Sequence, residues 1–130
     1  MSKPEFKYTK SHEWVDFNAQ TGIARIGISD FAIAELTDLV HIELPEIGTA
    51  YKAGEIFGEV ESVKAVSDLY TPVSGEIVAA NTSLVDDLAV LSEDAYEQGW
   101  MIELKLENPS ELEALMTVAD YEKHCADSAH

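Results

Sequence analysis

The sequence predicts an all-β domain, a β sandwich or barrel, and three observations support this. Short segments in which apolar and polar residues alternate, as in half-buried strands, recur at close spacing over the first hundred residues. Helical periodicity over the same stretch is sparse. Apolar residues make up 46% of the 130 residues, which is enough for a modest core in one domain.

The elements before residue 45 follow from local patterns. Ser29 is the expected N-cap of a short helix, because its hydroxyl can accept from a free N–H group of the first turn. Pro45 ends the strand before it, because it has no backbone N–H for the sheet. The predicted elements are an extended segment over 6–17, a turn over 18–22, a strand over 23–28, a helix over 30–36 and a strand over 40–44.

One lysine lies between two predicted strands in the middle of the chain. Residues 59–63 lead to Lys64 and residues 67–73 lead away from it, and both segments alternate. If these segments pair, Lys64 lies near the bend with its amine directed away from the domain. The bend lacks the Asn-Gly or Asp-Gly pair of a tight hairpin. We interpret Lys64 as a residue that another enzyme recognises and modifies; an exposed lysine without a role is the alternative.

The C-terminal part of the chain adds helix to the predicted β fold. Ser110 and Glu113 have the spacing of a capping box, which marks a helix start. Thr117 is the expected cap of a last short helix. After Pro45, the predicted elements are a hairpin over about 56–78 that contains Lys64, an acidic connection over 81–98, a strand over 100–106 and a helical segment over about 110–124.

Charge and cysteine content limit the classes of partner and compartment. The chain has 25 acidic and 8 basic residues and a net charge of −17, which repels nucleic acid and anionic membranes and favours proteins with basic surfaces. The single cysteine, Cys125, cannot form an intrachain disulfide, which suits a reducing compartment. The chain has no signal-peptide pattern and no membrane span. We expect a bacterial cytoplasmic protein; a mature form in the mitochondrial matrix is the alternative.

The sequence shows no constellation of catalytic or metal-ligating residues. The four histidines, His12, His41, His124 and His130, lack the spacing of metal ligands. It has no Gly-rich phosphate loop and no nucleophile motif. We therefore expect no metal site and no catalytic activity.

Six segments together resemble the H protein of the glycine cleavage system, a family of lipoyl carriers. In chain order they are residues 11–15, 27–32, 44–48, 60–68, 72–76 and 99–101. The resemblance covers nearly the whole chain. The chain departs from the usual family residues at four positions outside segment 60–68, namely Thr37, Leu88, Ala95 and Glu97.

The resemblance implies a fold and a set of site residues. The fold is a barrel-sandwich hybrid of two antiparallel sheets with a few short helices, forming a single carrier domain over residues 1–130. Lipoate is amide-linked to the residue that matches Lys64. Glu13, Ser11 and Asp68 match positions that hold the aminomethyl-loaded arm in a cleft. A carboxylate or hydroxyl there can form a charge-assisted hydrogen bond with the cationic amine; solvated side chains on an acidic surface are the alternative.

The resemblance also implies a non-catalytic role with named partners. The P protein decarboxylates glycine and loads the carrier, the T protein transfers the one-carbon unit to tetrahydrofolate with release of ammonia, and the L protein reoxidises the arm. A lipoyl or octanoyl transferase or ligase would attach the group, and the carrier is expected to be a monomer. The alternative is a lipoyl carrier, or a relay of lipoate, for other lipoate-dependent complexes.

Overall fold

A computed structural model describes residues 6–36, 38–96 and 98–128 of the chain, which lie in two sheets and several short helices. The strands are β1 (Lys7–Tyr8), β2 (Glu13–Asn18), β3 (Ile23–Ile28), β4 (Leu39–Glu43), β5 (Ala50–Tyr51), β6 (Ile56–Ser62), β7 (Val66–Tyr70), β8 (Gly75–Ala80) and β9 (Ile102–Leu106). The helices are α1 (Asp30–Leu36), α2 (Ser83–Asp86), α3 (Ala89–Glu93) and α4 (Val118–Ser128), and a 3-10 helix spans Pro109–Ala114.

The strands form two antiparallel sheets. The larger sheet has the order β1-β2-β3-β9-β8-β5, and the smaller has the order β4-β6-β7. One cluster of buried apolar side chains draws on both sheets, with Val15 and Ile26 from the larger and Ile42, Val60 and Leu69 from the smaller. The fold is the barrel-sandwich hybrid that the resemblance implies, and the prediction of an all-β domain with a few short helices is confirmed.

A second, aromatic cluster attaches the C-terminal helix α4 to the first strands. The rings of Tyr8 and Tyr121 stack with centroids 4.4 Å apart, and those of Phe6 and Trp14 stack at 4.8 Å. Trp14 is fully buried, and its Nε1 donates to the carbonyl groups of Ile28 at 3.0 Å and Ala95 at 3.1 Å. Because β2 contributes Trp14 here and Val15 to the main core, it joins the two clusters.

Two predicted helix caps agree with the structure. Helix α1 begins at Asp30, and Ser29 Oγ accepts from the N–H of Ala32 at 3.3 Å, as expected of an N-cap. Near the other end of the chain, Thr117 Oγ1 accepts from the N–H of Asp120 at 3.3 Å, at the start of α4. These hydroxyls satisfy N–H groups that have no partner within their own helices.

Three local predictions were wrong or too broad. The connection over 81–98 contains α2 and α3, which bury Leu84 and Leu91 in the core. The capping residue before the 3-10 helix is Asn108, which accepts from the N–H of Ser110, so the Ser110–Glu113 capping box does not form. The hairpin around Lys64 ends with β7 at Tyr70, since β8 belongs to the larger sheet. The predictions for Thr37, Glu97 and His130 lie outside the described residues.

None of the helices in the described ranges combines the length and the apolar character of a membrane-spanning segment.

Candidate modification site and adjacent cleft

Lys64 lies at the turn between β6 and β7, as the alternating pattern predicts. The two strands pair antiparallel, with Glu61 opposite Val66 and Val60 opposite Ser67. Val60 is buried in the core, so one face of the hairpin is anchored in the domain. Lys64 itself is exposed. The hairpin therefore presents a single amine at the end of an anchored pair of strands.

The side chain of Ser62 holds this turn in place. Its Oγ accepts from the N–H of Ala65 at 3.2 Å and from that of Lys64 at 3.4 Å, and the N–H of Ser62 donates to the Ala65 carbonyl at 2.8 Å. The N–H of Val63 donates to the Asp38 carbonyl at 3.0 Å. Lys64 and its neighbours have negative φ, so the turn does not require Asn-Gly or Asp-Gly. These hydrogen bonds fix the backbone at Lys64, whose side chain is exposed.

The side chain of Lys64 has no ionic partner in the part of the chain that the structure describes. Lys52, on another exposed turn, differs in this respect, since its Nζ lies 3.2 Å from Glu107 Oε2. The side chains beside Lys64 are apolar and exposed: Val63 is 68% and Val66 is 56% accessible to solvent. An enzyme can reach the Lys64 amine without breaking an ion pair or moving a covering element.

Carboxylates line up across the solvent-facing side of the smaller sheet. Glu43, Glu59 and Asp68 lie directly opposite one another on β4, β6 and β7. Like charges in this register repel. Desolvation and the neighbouring Glu43 carboxylate raise the pKa of Glu59. The sheet that carries Lys64 therefore presents a concentrated negative charge.

A cleft of about 360 Å³ lies beside the hairpin, between the edge strand β7, helix α1 and the turn before β2. Its walls are mostly apolar, and carboxylates and hydroxyls are grouped along one part of them. The lining residues are Ser11, His12, Glu13, Ile28, Phe31, Ala32, Glu35, Leu36, Val60, Ser67, Asp68 and Leu69. An occupant with an apolar chain and a cationic or hydrogen-bonding end would match this lining.

The structure brings the three predicted arm-binding residues together at this cleft. Ser11 and Glu13 come from the turn before β2 and its first residue, and Asp68 comes from β7. Asp68 follows Lys64 by four residues, so their Cα atoms are at most about 14 Å apart. The cleft and the Lys64 turn thus share one strand.

Glu13 is the buried carboxylate of the cleft, with 1% of its surface exposed. Its Oε1 accepts from Thr9 Oγ1 at 2.7 Å and from the Ser11 hydroxyl, and its Oε2 accepts from the N–H of Tyr70 at 3.3 Å. Burial raises the pKa of Glu13, while the hydrogen bonds from Ser11, Thr9 and Tyr70 oppose this shift. Removing solvent from this carboxylate strengthens its attraction for a cation in the cleft.

Sequence reasoning missed the three other polar lining residues, His12, Glu35 and Ser67. Glu35 lies one helical turn after Phe31 on α1, so the i, i+4 spacing places both on one helix face. Ser67 directly precedes Asp68. The helical spacing of Glu35 and the position of Ser67 next to Asp68 are visible in the sequence. The sequence alone does not show that α1 packs beside β7.

Replacing Glu13 with glutamine is expected to have a pH-dependent effect on stability. The difference in unfolding free energy between Glu13→Gln and the unsubstituted protein should shift in favour of the variant as the pH rises. The pKa of Glu13 is raised in the folded state, so its contribution to stability is full below the unfolded value of 4.5 and is lost as the pH rises through the folded value. Glutamine does not titrate. Urea unfolding of both proteins from pH 4 to pH 8 measures the difference in unfolding free energy, and a difference that does not change with pH would contradict the prediction.

Comparison with known proteins identifies the family. The family model described as "Glycine cleavage H-protein" matches residues 6–128. The chain belongs to this family. The glycine cleavage system H protein of Rhodopirellula baltica is 49% identical over 124 residues, which cover 94% of this chain and 93% of the relative. That of Chromohalobacter salexigens is 51% identical over 116 residues, which cover 89% and 88% of the two chains.

A solved structure of the same family has the same fold. The crystal structure of a glycine cleavage system H protein from Mycobacterium marinum matches with a TM-score of 0.83 and 39% sequence identity. The match covers 94% of this chain and 97% of that one. The family membership predicted from six segments of the sequence is therefore confirmed over nearly the whole length.

Proposed function

We propose that this chain is a single-domain lipoyl carrier of the glycine cleavage system, with lipoate amide-linked to Lys64. The observation that carries the proposal is the exposed amine of Lys64, which has no ionic partner among the described residues and lies at a turn that Ser62 holds in place. An amide-linked group needs an accessible amine and a fixed point of attachment, and Lys64 provides both. Lipoate, when bound, would supply a disulfide whose S–S bond is reductively cleaved as the aminomethyl carbon becomes bonded to one sulfur, and the dithiol that remains after the load has left would be reoxidised.

In this role the chain passes its load between enzymes and catalyses nothing itself. It receives the aminomethyl group at the P protein and delivers it at the T protein, where the one-carbon unit passes to tetrahydrofolate and ammonia is released. The L protein then restores the oxidised form. The row formed by Glu43, Glu59 and Asp68 supports partners with basic surfaces near the hairpin, since complementary charge increases the rate of encounter.

The cleft supports a second part of the proposal, protection of the load. Apolar side chains such as Phe31 and Leu69 would exclude water, and Glu13 would accept a hydrogen bond from the cationic amine. Ser11 and Asp68 are exposed at the same cleft, where they can orient the amine. These residues bind and orient the load.

The proposal is tested by the mass of the peptide that contains Lys64. Protein is produced in a host that makes lipoate and in the same host blocked in lipoate synthesis and supply. We expect a lipoyl group on Lys64 in the first sample and a free lysine in the second. A free Lys64 in the first sample, or a lipoyl group on another lysine, would contradict the proposed site. Reconstitution with the P protein then separates a glycine cleavage carrier from a carrier that serves other complexes.

A further inference from the structure

The C-terminal helix α4 contacts the turn that carries the polar residues of the cleft. The Tyr121 hydroxyl lies 2.8 Å from Nδ1 of His12, and Nε2 of His124 lies 3.1 Å from the carbonyl oxygen of Lys10. Lys10 and His12 are the residues on either side of Ser11. The helix therefore holds this turn at two points around one of the proposed binding residues.

His12 is the residue of this turn that most needs support. Its φ of 77° lies in the left-handed region, which residues other than glycine rarely adopt, and it is the one described non-glycine residue with a positive φ. Its ring lines the cleft and packs against Phe31, with centroids 5.1 Å apart. Glu13 follows it directly and places its carboxylate against the Ser11 hydroxyl. The conformation of His12 thus determines where Ser11 and Glu13 lie.

The hydroxyl of Tyr121 also contacts the residue that begins the α1 wall of the cleft. It lies 2.5 Å from Ser29 Oγ, and Ser29 is the N-cap of α1, the helix that contributes Phe31 and Ala32 to the lining. One buried hydroxyl therefore joins the turn, through His12, to α1, through Ser29. The backbone supports the same junction, since the N–H of Ser29 donates to the His12 carbonyl at 2.8 Å.

The protonation states of these groups are compatible with such a bridge. Burial raises the pKa of Tyr121, so its hydroxyl keeps its proton. Burial, together with the charge of His124, lowers the pKa of His12, while Glu35 opposes this shift. The Nδ1 atom of a neutral His12 can accept a hydrogen bond from the Tyr121 hydroxyl, and the Tyr121 oxygen can accept one from the Ser29 hydroxyl. The bridge needs no charged group.

We propose that Tyr121 is a positioning residue that fixes the two walls of the cleft relative to each other and thereby holds Ser11 and Glu13 in place. Its side chain is 1% exposed and stacked on Tyr8, so the ring can be kept while the hydroxyl is removed. That this positioning matters for holding the aminomethyl-loaded arm rests on the proposed function. The positioning itself is a property of the unmodified protein.

The test uses unmodified protein and compares Tyr121→Phe with Tyr96→Phe. Tyr96 belongs to the same aromatic cluster, and its hydroxyl donates to Asp30 Oδ1 at 2.9 Å, so the control removes a partly buried tyrosine hydroxyl that does not contact His12 or Ser29 through a side-chain hydrogen bond among the described residues. The readout is hydrogen exchange of the Tyr70 N–H, which donates to the Glu13 carboxylate. Exchange reports local opening, so it separates a displaced Glu13 from loss of overall stability.

We expect Tyr121→Phe to increase Tyr70 exchange about tenfold relative to amides of β3 and β9, and Tyr96→Phe to leave that ratio unchanged. An unchanged ratio in Tyr121→Phe, or an equal increase in both variants, would overturn the proposal. If Tyr121→Phe does not fold, His12→Asn provides the same test, because asparagine tolerates the left-handed conformation but cannot reach Tyr121. Because no lipoate is present, failure here is distinct from failure of the proposed function.

Discussion

A Lys64→Arg variant is expected to receive no lipoyl group and to support no glycine decarboxylation with the P protein, while folding normally. The guanidinium group stays protonated at any physiological pH and cannot form the amide, although it keeps the positive charge. Lys64 is exposed at a turn fixed by Ser62, so the unfolding free energy should change by less than about 0.5 kcal/mol. Intact mass measures lipoyl attachment, reconstitution with the P protein measures glycine decarboxylation, and urea unfolding measures the unfolding free energy.

Lys52→Arg is the matched control for this experiment. Lys52 is also exposed on a turn, and its ion pair with Glu107 can be kept by arginine. The control should acquire the lipoyl group on Lys64 and remain active. Activity of Lys64→Arg at the level of this control would show that charge, and not covalent attachment, is what the system requires of residue 64.

A Gly58→Ala variant is expected to be destabilised by more than about 3 kcal/mol, because the added methyl group has no space. A Cβ at this position would lie 2.2 Å from the carbonyl oxygen of Glu43. That oxygen belongs to the backbone of β4, so it can move only if β4 separates from β6. Strand β6 is the middle strand of the smaller sheet and leads directly to Lys64. Urea unfolding measures the change.

Gly54→Ala separates this steric effect from the general cost of replacing glycine. Gly54 has a φ of 90°, and a Cβ there would have no heavy atom within 4 Å. Its cost should therefore be the conformational one, about 1–2 kcal/mol. Equal destabilisation by the two substitutions would show that the β4–β6 contact adjusts to a methyl group.

The position of Lys64 could be predicted from sequence because it depends on local alternation. Residues on both sides of Lys64 have a period of two, and strands joined by so short a segment are neighbours in the sheet. Family resemblance then added the proposal that Lys64 is the site of lipoyl attachment. By contrast, α2 and α3 have only four and five residues, so neither is long enough to show a helical period.

The composition of the cleft could be predicted only in part. Ser11, Glu13 and Asp68 were inferred from motifs, whereas the contact between His12 and Tyr121 joins opposite ends of the chain. Nothing in the local sequence of α4 indicates which segment it packs against. The left-handed conformation of His12 was also not predicted, since only a few per cent of non-glycine residues adopt it. Long-range packing, and not residue preference, decides both features.

The contact between Glu13 and Tyr70 has a consequence for self-association. Strand β7 is an edge strand of the smaller sheet. The unpaired backbone groups of an edge strand are a template to which a second molecule can add a strand. The Glu13 carboxylate occupies the Tyr70 N–H that an incoming chain would need. The Glu13 side chain thus discourages intermolecular strand pairing along this edge of the sheet.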